Sequence, residues 1–300
     1  MITLKVKQNE EAKFVEKHCL PITFNSKFAL ELQDDVAFLN GEKRSKIIIK
    51  TDSISEGIHY KIGTKPLKIG HKLLARNLSD IASKGGMPLG FTLSIFRTKS
   101  TNEAFLEDFL TGIKVLARDF SLPLIGGDEV STKNDFFSAN ITIFATKNGK
   151  ISERKNAKVG DFIYITGQIG RAFLGFEGEA NFLPFFETPA PQINLMQELF
   201  AKYKINASID ISDGFLKDLN TLLFASQKGA FIDCYKIPTP KTNHSLEKLL
   251  TFGDDYQILF TSKDEISHKD VTKIGVILKE KHLQLEGLPK IPENLGYNHY

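Results

Sequence analysis

Six aspartates, each inside its own short motif, run from residue 35 to residue 213. They are Asp35 in Gln-Asp-Asp-Val-Ala, Asp52 in Lys-Thr-Asp-Ser, Asp80 in Asn-Leu-Ser-Asp, Asp128 in Ile-Gly-Gly-Asp, and the pair Asp210 and Asp213 in Ile-Asp-Ile-Ser-Asp-Gly. Most stand where an apolar run stops, which predicts strand and helix ends that meet while each carboxylate stays solvated. Hard oxygen ligands without a matching His or Cys set suit Mg²⁺, and that ion at this carboxylate density suits phosphoryl chemistry. Aspartate also marks turns and caps. That reading explains any one of these residues well and all six poorly.

The elements that must position them alternate in type. Ile47–Lys50 is a short β-branched run ending in Thr51-Asp52, and Leu67, Leu74, Leu78 and Ile81 form a helical stripe that delivers Asp80 at its end. Leu89–Phe96 reads as a strand. Phe105, Phe109, Ile113, Leu116 and Phe120 recur at helical steps. Leu122–Ile125 is a brief strand ending in Gly126-Gly127-Asp128, and Phe136–Thr146 is a further strand before a turn at 147–150. The pattern then restarts: Phe162–Thr166 as a strand, Gly167–Gly170 opening a helix, and a second helix over Ile193–Tyr203. Ser212 is placed to cap a helix bearing Leu216, Leu219 and Leu223, which would leave free N–H groups there for an anion. Tyr256, Ile258 and Phe260 alternate as a half-buried strand. The expectation is an α/β chain of two domains, 1–150 and 151–300.

Composition narrows the class. The 300 residues carry a net charge of only +3 with dispersed lysines, so no nucleic-acid stripe is present. The N-terminal stretch has no signal-peptide core, and no apolar run approaches the ~18 residues of a membrane helix. Cys19 and Cys234 fit no metal or redox spacing and read as reduced and partly buried, which points to a cytoplasmic protein. A phosphate loop, a Gly-x-Gly-x-x-Gly fingerprint, a His pair at i, i+4 and a Gly-x-Ser-x-Gly elbow are all missing from the sequence. A nucleotide enzyme of this kind has to hold phosphates through metal and loop backbone.

Taken in order, the motifs resemble thiamine-monophosphate kinase, a family in the superfamily of aminoimidazole ribonucleotide synthetase. The resemblance runs from about Gln33 to about Tyr297. It rests on Thr-Asp-Ser-Ile-Ser-Glu-Gly-Ile-His (51–59), Asn-Leu-Ser-Asp-Ile-Ala (77–82), Leu-Ile-Gly-Gly-Asp (124–128), Val-Gly-Asp-Phe-Ile-Tyr-Ile-Thr-Gly (159–167), Ile-Asp-Ile-Ser-Asp-Gly (209–214) and Gly-Asp-Asp-Tyr-Gln-Ile-Leu-Phe-Thr (253–261). It implies ATP-dependent phosphorylation of thiamine monophosphate to thiamine diphosphate. It also implies an aminoimidazole ribonucleotide synthetase-like fold: an N-terminal domain that makes a homodimer through its sheet, and a C-terminal α/β domain that closes over the nucleotide.

The resemblance also assigns roles. Asp35, Asp52, Asp80, Asp128, Asp210 and Asp213 would ligate Mg²⁺ with help from Thr51, and Asp52, Asp80, Asp128 and Asp210 would form the catalytic set. Gly126, Gly127, Arg154 and Ser212 would meet ATP. His59, Asp254 and Tyr297 would meet the thiamine substrate, Tyr297 by packing on its cationic ring. Asp34 reads as a turn residue. The chain departs from the family at Gln33, where glycine is usual, and at Lys50, where serine is usual and a cation now stands. Glu129 and Val130 replace threonines, and Asp254 is one methylene shorter than the usual glutamate. Another ATP-using enzyme of the superfamily, or a catalytically silent nucleotide-binding paralogue, stays open at this point.

Overall fold

A long antiparallel ladder organises the first half of the chain. In the computed structural model, which describes residues 1–8, 13, 16–17, 20–23, 31–40, 45–133 and 136–298, strand β3 (Ser45–Ser55) pairs along its whole length with β6 (Ser138–Asn148). Around them stand β2 (Ala37–Asn40), β4 (Met87–Arg97) and β5 (Leu124–Ser131), giving a five-stranded sheet in the order β2-β3-β6-β4-β5. The apolar run that predicted a strand ending at Lys50 is therefore the first half of a longer one. Pairing with β6 carries the backbone extended through Thr51 and Asp52, and Asp128 likewise lies inside β5.

A seven-stranded sheet follows the order β1-β12-β9-β11-β7-β10-β8. Its strands are β7 (Phe162–Thr166), β8 (Ile205–Ile211), β9 (Gly229–Asp233), β10 (Gln257–Ser262), β11 (Val271–Leu278) and β12 (His282–Glu286), joined at one edge by β1 (Ile2–Lys5) from the start of the chain. Strand β10 is buried at every residue rather than half-buried. Ile258 and Phe260 enter one core while Leu259 enters another, so both faces of the strand are covered. Among the described residues no helix is long and apolar enough to cross a membrane. Cys234 is buried and free, and Cys19 lies outside the described residues.

The helices, in chain order, are α1 (Pro66–Ser83), α2 (Glu103–Asp119), α3 (Arg171–Phe176), α4 (Leu183–Glu187), α5 (Ile193–Lys202), α6 (Phe215–Ser226) and α7 (Leu246–Thr251). Pro66 opens α1, where a missing N–H costs nothing. Ser212 does not cap α6. Gly214 holds that position, and the Asp218 carboxylate accepts the N–H groups of Ser212, Asp213 and Gly214 at 3.0–3.1 Å. The amides expected to be free for an anion are thus taken by a side chain.

Helix α1 is the hub. It packs on α2, α5, β3 and β6 and reaches β8 and β10 of the other sheet. Its Leu73, Leu74, Leu78 and Ile81 share one core with Ile48, Ile141 and Phe260, so a single apolar cluster spans both sheets. Two glycines allow α1 and α2 to touch: a Cβ on Gly70 would stand 1.9 Å from the Phe109 carbonyl oxygen, and one on Gly112 would stand 1.8 Å from that of Leu67. Alanine is the better helix former by up to ~1 kcal/mol, but here it meets rigid backbone. Gly112→Ala is expected to lower stability by about 1–3 kcal/mol, read from the midpoint of urea unfolding.

Candidate active site

Helix α1 carries Lys72, Arg76 and Asp80 at successive four-residue steps along one face of a buried helix, and its C-cap residue Lys84 continues that row. Charges in such a place require partners, and each finds one on a segment other than α1, two of them on β3. Lys72 Nζ stands 2.8 Å from Asp254 Oδ2 in the loop before β10. Arg76 meets Asp52 of β3 at 3.3 Å. Asp80 Oδ2 meets Lys50 of β3 at 3.0 Å. Lys84, with no exposed surface, meets Asp34 at 3.1 Å and Asp35 at 2.5 Å, and donates to the Ser208 carbonyl at 2.7 Å. Asp34 is thus a buried ion-pair partner as well as a bend residue.

Carboxylates converge behind this ridge. Oxygens of Asp35, Asp80 and Asp210 lie within 4.8 Å of one another, all three residues being buried. Arg154 binds Asp35 through its guanidinium, and Ser79 donates to Asp210 at 2.8 Å. Burial, then the neighbouring Asp35, pushes Asp210 up to about 6. Burial alone would lower Lys50, yet Asp80, Asp52, Asp210 and Asp35 outweigh it and hold the ammonium above its ordinary range. Asp52 stays ionised because Arg76 and Lys50 overcome its burial, as Lys72 and Arg76 do for Asp254.

This cluster floors a cleft of about 680 Å³, a size suited to a small-molecule ligand. Asp52, His59, Asp80, Asp210, Asp254 and Tyr297 line it, together with Ser212 and Asp213. Asp213 is paired with Lys217 at 2.7 Å, and the Tyr297 amide donates to the Asp213 carbonyl at 2.8 Å. Burial, then Arg76, holds His59 down at about 4. Its Nδ1 accepts from the Ser55 amide at 3.0 Å, so the neutral ring offers Nε2–H as a donor. The opposite wall is aromatic: Phe176 packs on Phe252 and Phe186 with ring centroids 4.9 and 5.4 Å apart, and Phe173 packs on Phe252 at 5.5 Å.

Other expected site residues stand elsewhere. Thr51 alternates with Lys50 and Asp52 on β3, so it points to the other sheet face, where its hydroxyl meets Thr142 at 2.9 Å. Gly126, Gly127 and Asp128 lie on the exposed edge strand β5. Cross-strand register runs from Asp52 through Ile141 and Leu93 to Gly127. Three strand spacings, about 14 Å, therefore separate Asp52 from the Gly-Gly-Asp motif, too far for one shared ion within a protomer. Gly127 has a packing reason of its own, since a Cβ there would sit 2.2 Å from the Leu93 carbonyl oxygen.

Sequence reasoning missed Lys72, Arg76 and Lys84, although their four-residue spacing from Asp80 on an expected helix was a usable signal. It also missed the phenylalanine wall, whose members come from α3, α4 and the end of α7 and share no local motif.

A sheet-and-helix body with a carboxylate cluster under a small-molecule cleft defines the class. Residues 33–151 match the family model "AIR synthase related protein, N-terminal domain". The thiamine-monophosphate kinase of Buchnera aphidicola (subsp. Acyrthosiphon pisum) is 33% identical over 268 residues, spanning 82% of this chain and 80% of its own length. The chain belongs to the thiamine-monophosphate kinase family. The same fold appears in thiamine monophosphate kinase from Aquifex aeolicus (TM-score 0.78, 24% identity, 94% of this chain and 98% of that one). It appears too in a structure described as AaThiL complexed with AMPPCP and TMP (TM-score 0.84, 23% identity, 98% of this chain and 100% of that one).

The ion pairs under the cleft give a direct test of the assembly. Lys84→Met would leave Asp34 and Asp35 short of a buried cation and is expected to cost about 3–5 kcal/mol, measured by chemical denaturation.

Proposed function

We propose that this chain transfers the γ-phosphoryl group of ATP to thiamine monophosphate, giving thiamine diphosphate. The observation that carries the reading is one cleft holding Asp52, Asp80, Asp210, His59, Asp254 and Tyr297 in a member of this family. The acceptor is a phosphate monoester whose second pKa near ~6 leaves it mostly dianionic at neutral pH, so no general base is needed. The obstacle is repulsion between two polyanions, roughly 4 kcal/mol for each unit-charge pair at ~4 Å in an effective dielectric of about 20.

The residues fit Mg²⁺. The donors are all oxygen, and the three buried carboxylates of Asp35, Asp80 and Asp210 share one small volume. Asp35, Asp80 and Asp210 are the proposed holders, with Asp52 and Asp213 at the rim. When bound, the ion supplies charge neutralisation between donor and acceptor phosphoryl oxygens. Arg76, anchored by Asp52, adds fixed positive charge to the same wall, and Lys72 lies buried behind it on Asp254. Neutral His59 offers a donor to substrate without adding charge. Tyr297 and the phenylalanine wall offer π-faces to a cationic heterocycle. Arg154 and Ser212 are proposed on the nucleotide side. Within one protomer Asp128 and Thr51 stand away from the carboxylate cluster, one across the sheet and the other on its opposite face.

We also propose a division into two units, one on each sheet, near residue 150, with β1 serving the second. The exposed edge carries Leu124, Ile125 and Val130 beside Met87 and Leu89, an apolar surface suited to a homodimer formed through the first sheet. A cytoplasmic enzyme fits the use of ATP as donor.

Purified protein with ATP, Mg²⁺ and thiamine monophosphate is expected to yield thiamine diphosphate on chromatography. Absence of product over a broad range of pH and metal would reject the reading. Asp52→Asn is expected to lower turnover by about a hundredfold or more in a chain that still folds cooperatively but melts at a lower temperature, because Arg76 loses its charged partner. Ile125→Lys is expected to turn a dimer into a monomer by light scattering.

A further inference from the structure

We propose that Lys50 is a tethered cation within the carboxylate cluster, and that its ammonium competes with a divalent ion for Asp80. The inference rests on the metal reading given above and concerns a cation standing at that site.

Period-two alternation along β3 puts Lys50 and Asp52 on the same face as the fully buried Ile48 and Ile54, so the side chain is aimed at α1 and not at solvent. Its Nζ is 3.0 Å from Asp80 Oδ2, and the two side chains are 20% and 7% exposed. Asp80 is also one of the three residues whose carboxylate oxygens crowd within 4.8 Å. An Mg²⁺ ion seated on Asp80 needs that oxygen at about 2.0–2.1 Å. The ammonium stands in nearly the same volume, and the two cations repel.

Lys84 differs. Both of its carboxylate partners and two main-chain carbonyls, of Ser152 and Ser208, surround its ammonium, and it has no exposed surface. It is fixed structure. Lys50 lines the cleft, and among the described residues its ion pair is with Asp80 alone. It has room to withdraw toward the cleft when a divalent ion arrives, which would set its positive charge where phosphate oxygens enter. The chain thus holds a neutralised cluster when empty and exchanges a tethered charge for a divalent one when loaded.

The test uses the full chain without nucleotide, with Mn²⁺ as probe and free Mn²⁺ counted by electron paramagnetic resonance. Lys50→Gln keeps much of the side chain and removes the charge. It is expected to bind Mn²⁺ about tenfold more tightly or better, since a unit repulsion at contact distance is gone. Equal or weaker binding by a folded variant, or no binding by either protein, overturns the proposal. A second measurement needs no variant: reductive methylation of the unaltered chain followed by peptide mass spectrometry. Lys50 is expected to be modified faster with saturating Mn²⁺ than without it, while Lys84 stays protected in both. Unchanged or slower labelling of Lys50 overturns the proposal. Neither readout involves thiamine, so failure of the kinase reaction with both results intact would reject the proposed activity and leave this inference standing.

Discussion

A row of charges on a buried helix is the constraint from which the rest of the molecule follows. Lys72, Arg76 and Asp80, with Lys84 at the C-cap, occupy one ridge of α1, a helix enclosed by both sheets. Removing the partner of such a charge costs several kcal/mol, because the ion is left in a poor solvent. The chain must therefore bring Asp254, Asp52, Lys50, Asp34 and Asp35 to that ridge before α1 can be covered. Those partners come from β3, from the loop before β2 and from the loop before β10. Satisfying the helix and assembling the cleft are one event, and the apolar core that spans both sheets supplies the driving force for it.

The same network sets the electrostatics of the cleft. Arginine and lysine neighbours keep Asp52 and Asp254 ionised despite burial, whereas His59, near Arg76, is kept neutral. Two of the clustered carboxylates have a cation beside them, Asp35 with Lys84 and Arg154 and Asp80 with Lys50, while Asp210 has the Ser79 hydroxyl and is pushed up by burial and by Asp35. A fold that buries so many carboxylates together needs internal cations of this kind. Where one of them is mobile, it becomes part of the binding equilibrium.

Much of this was legible in the sequence, and what was not has identifiable causes. The stripe Leu67–Leu74–Leu78–Ile81 gave α1 nearly to its ends, and Phe105–Phe120 gave α2, since long amphipathic periodicity survives any tertiary context. The strand carrying Asp52 was read too short, because pairing with β6 keeps polar residues extended and only a partner strand reveals that. Ser212 was read as a cap, but Asp218, six residues on, folds back to take the amides. That competition between two acceptors has no local signature. Motif order singled out six aspartates, of which Asp35, Asp80 and Asp210 come together in one cluster. It did not show that Asp128 and Thr51 are kept from the cluster, one by strand order and the other by β-alternation.

The division of labour along the chain follows from the same geometry. The matched superfamily domain covers residues 33–151 and contains Asp35, Asp52 and Asp80 with the α1 ridge. The aromatic wall and Tyr297 come from residues beyond it, as do Asp254 and Asp210. Handling of charge is thus built mainly into the shared portion, while the surfaces that would discriminate one acceptor from another are added by the second half. Fold alone does not choose a substrate. A relative could keep every carboxylate and still change acceptor by altering Phe176 and Phe252, which touch the cleft, whereas Phe186 also lies under the Lys72 ammonium, 3.7 Å from its ring centre. The ridge, in contrast, cannot drift freely, because each charge on it fixes the identity of a residue on another segment.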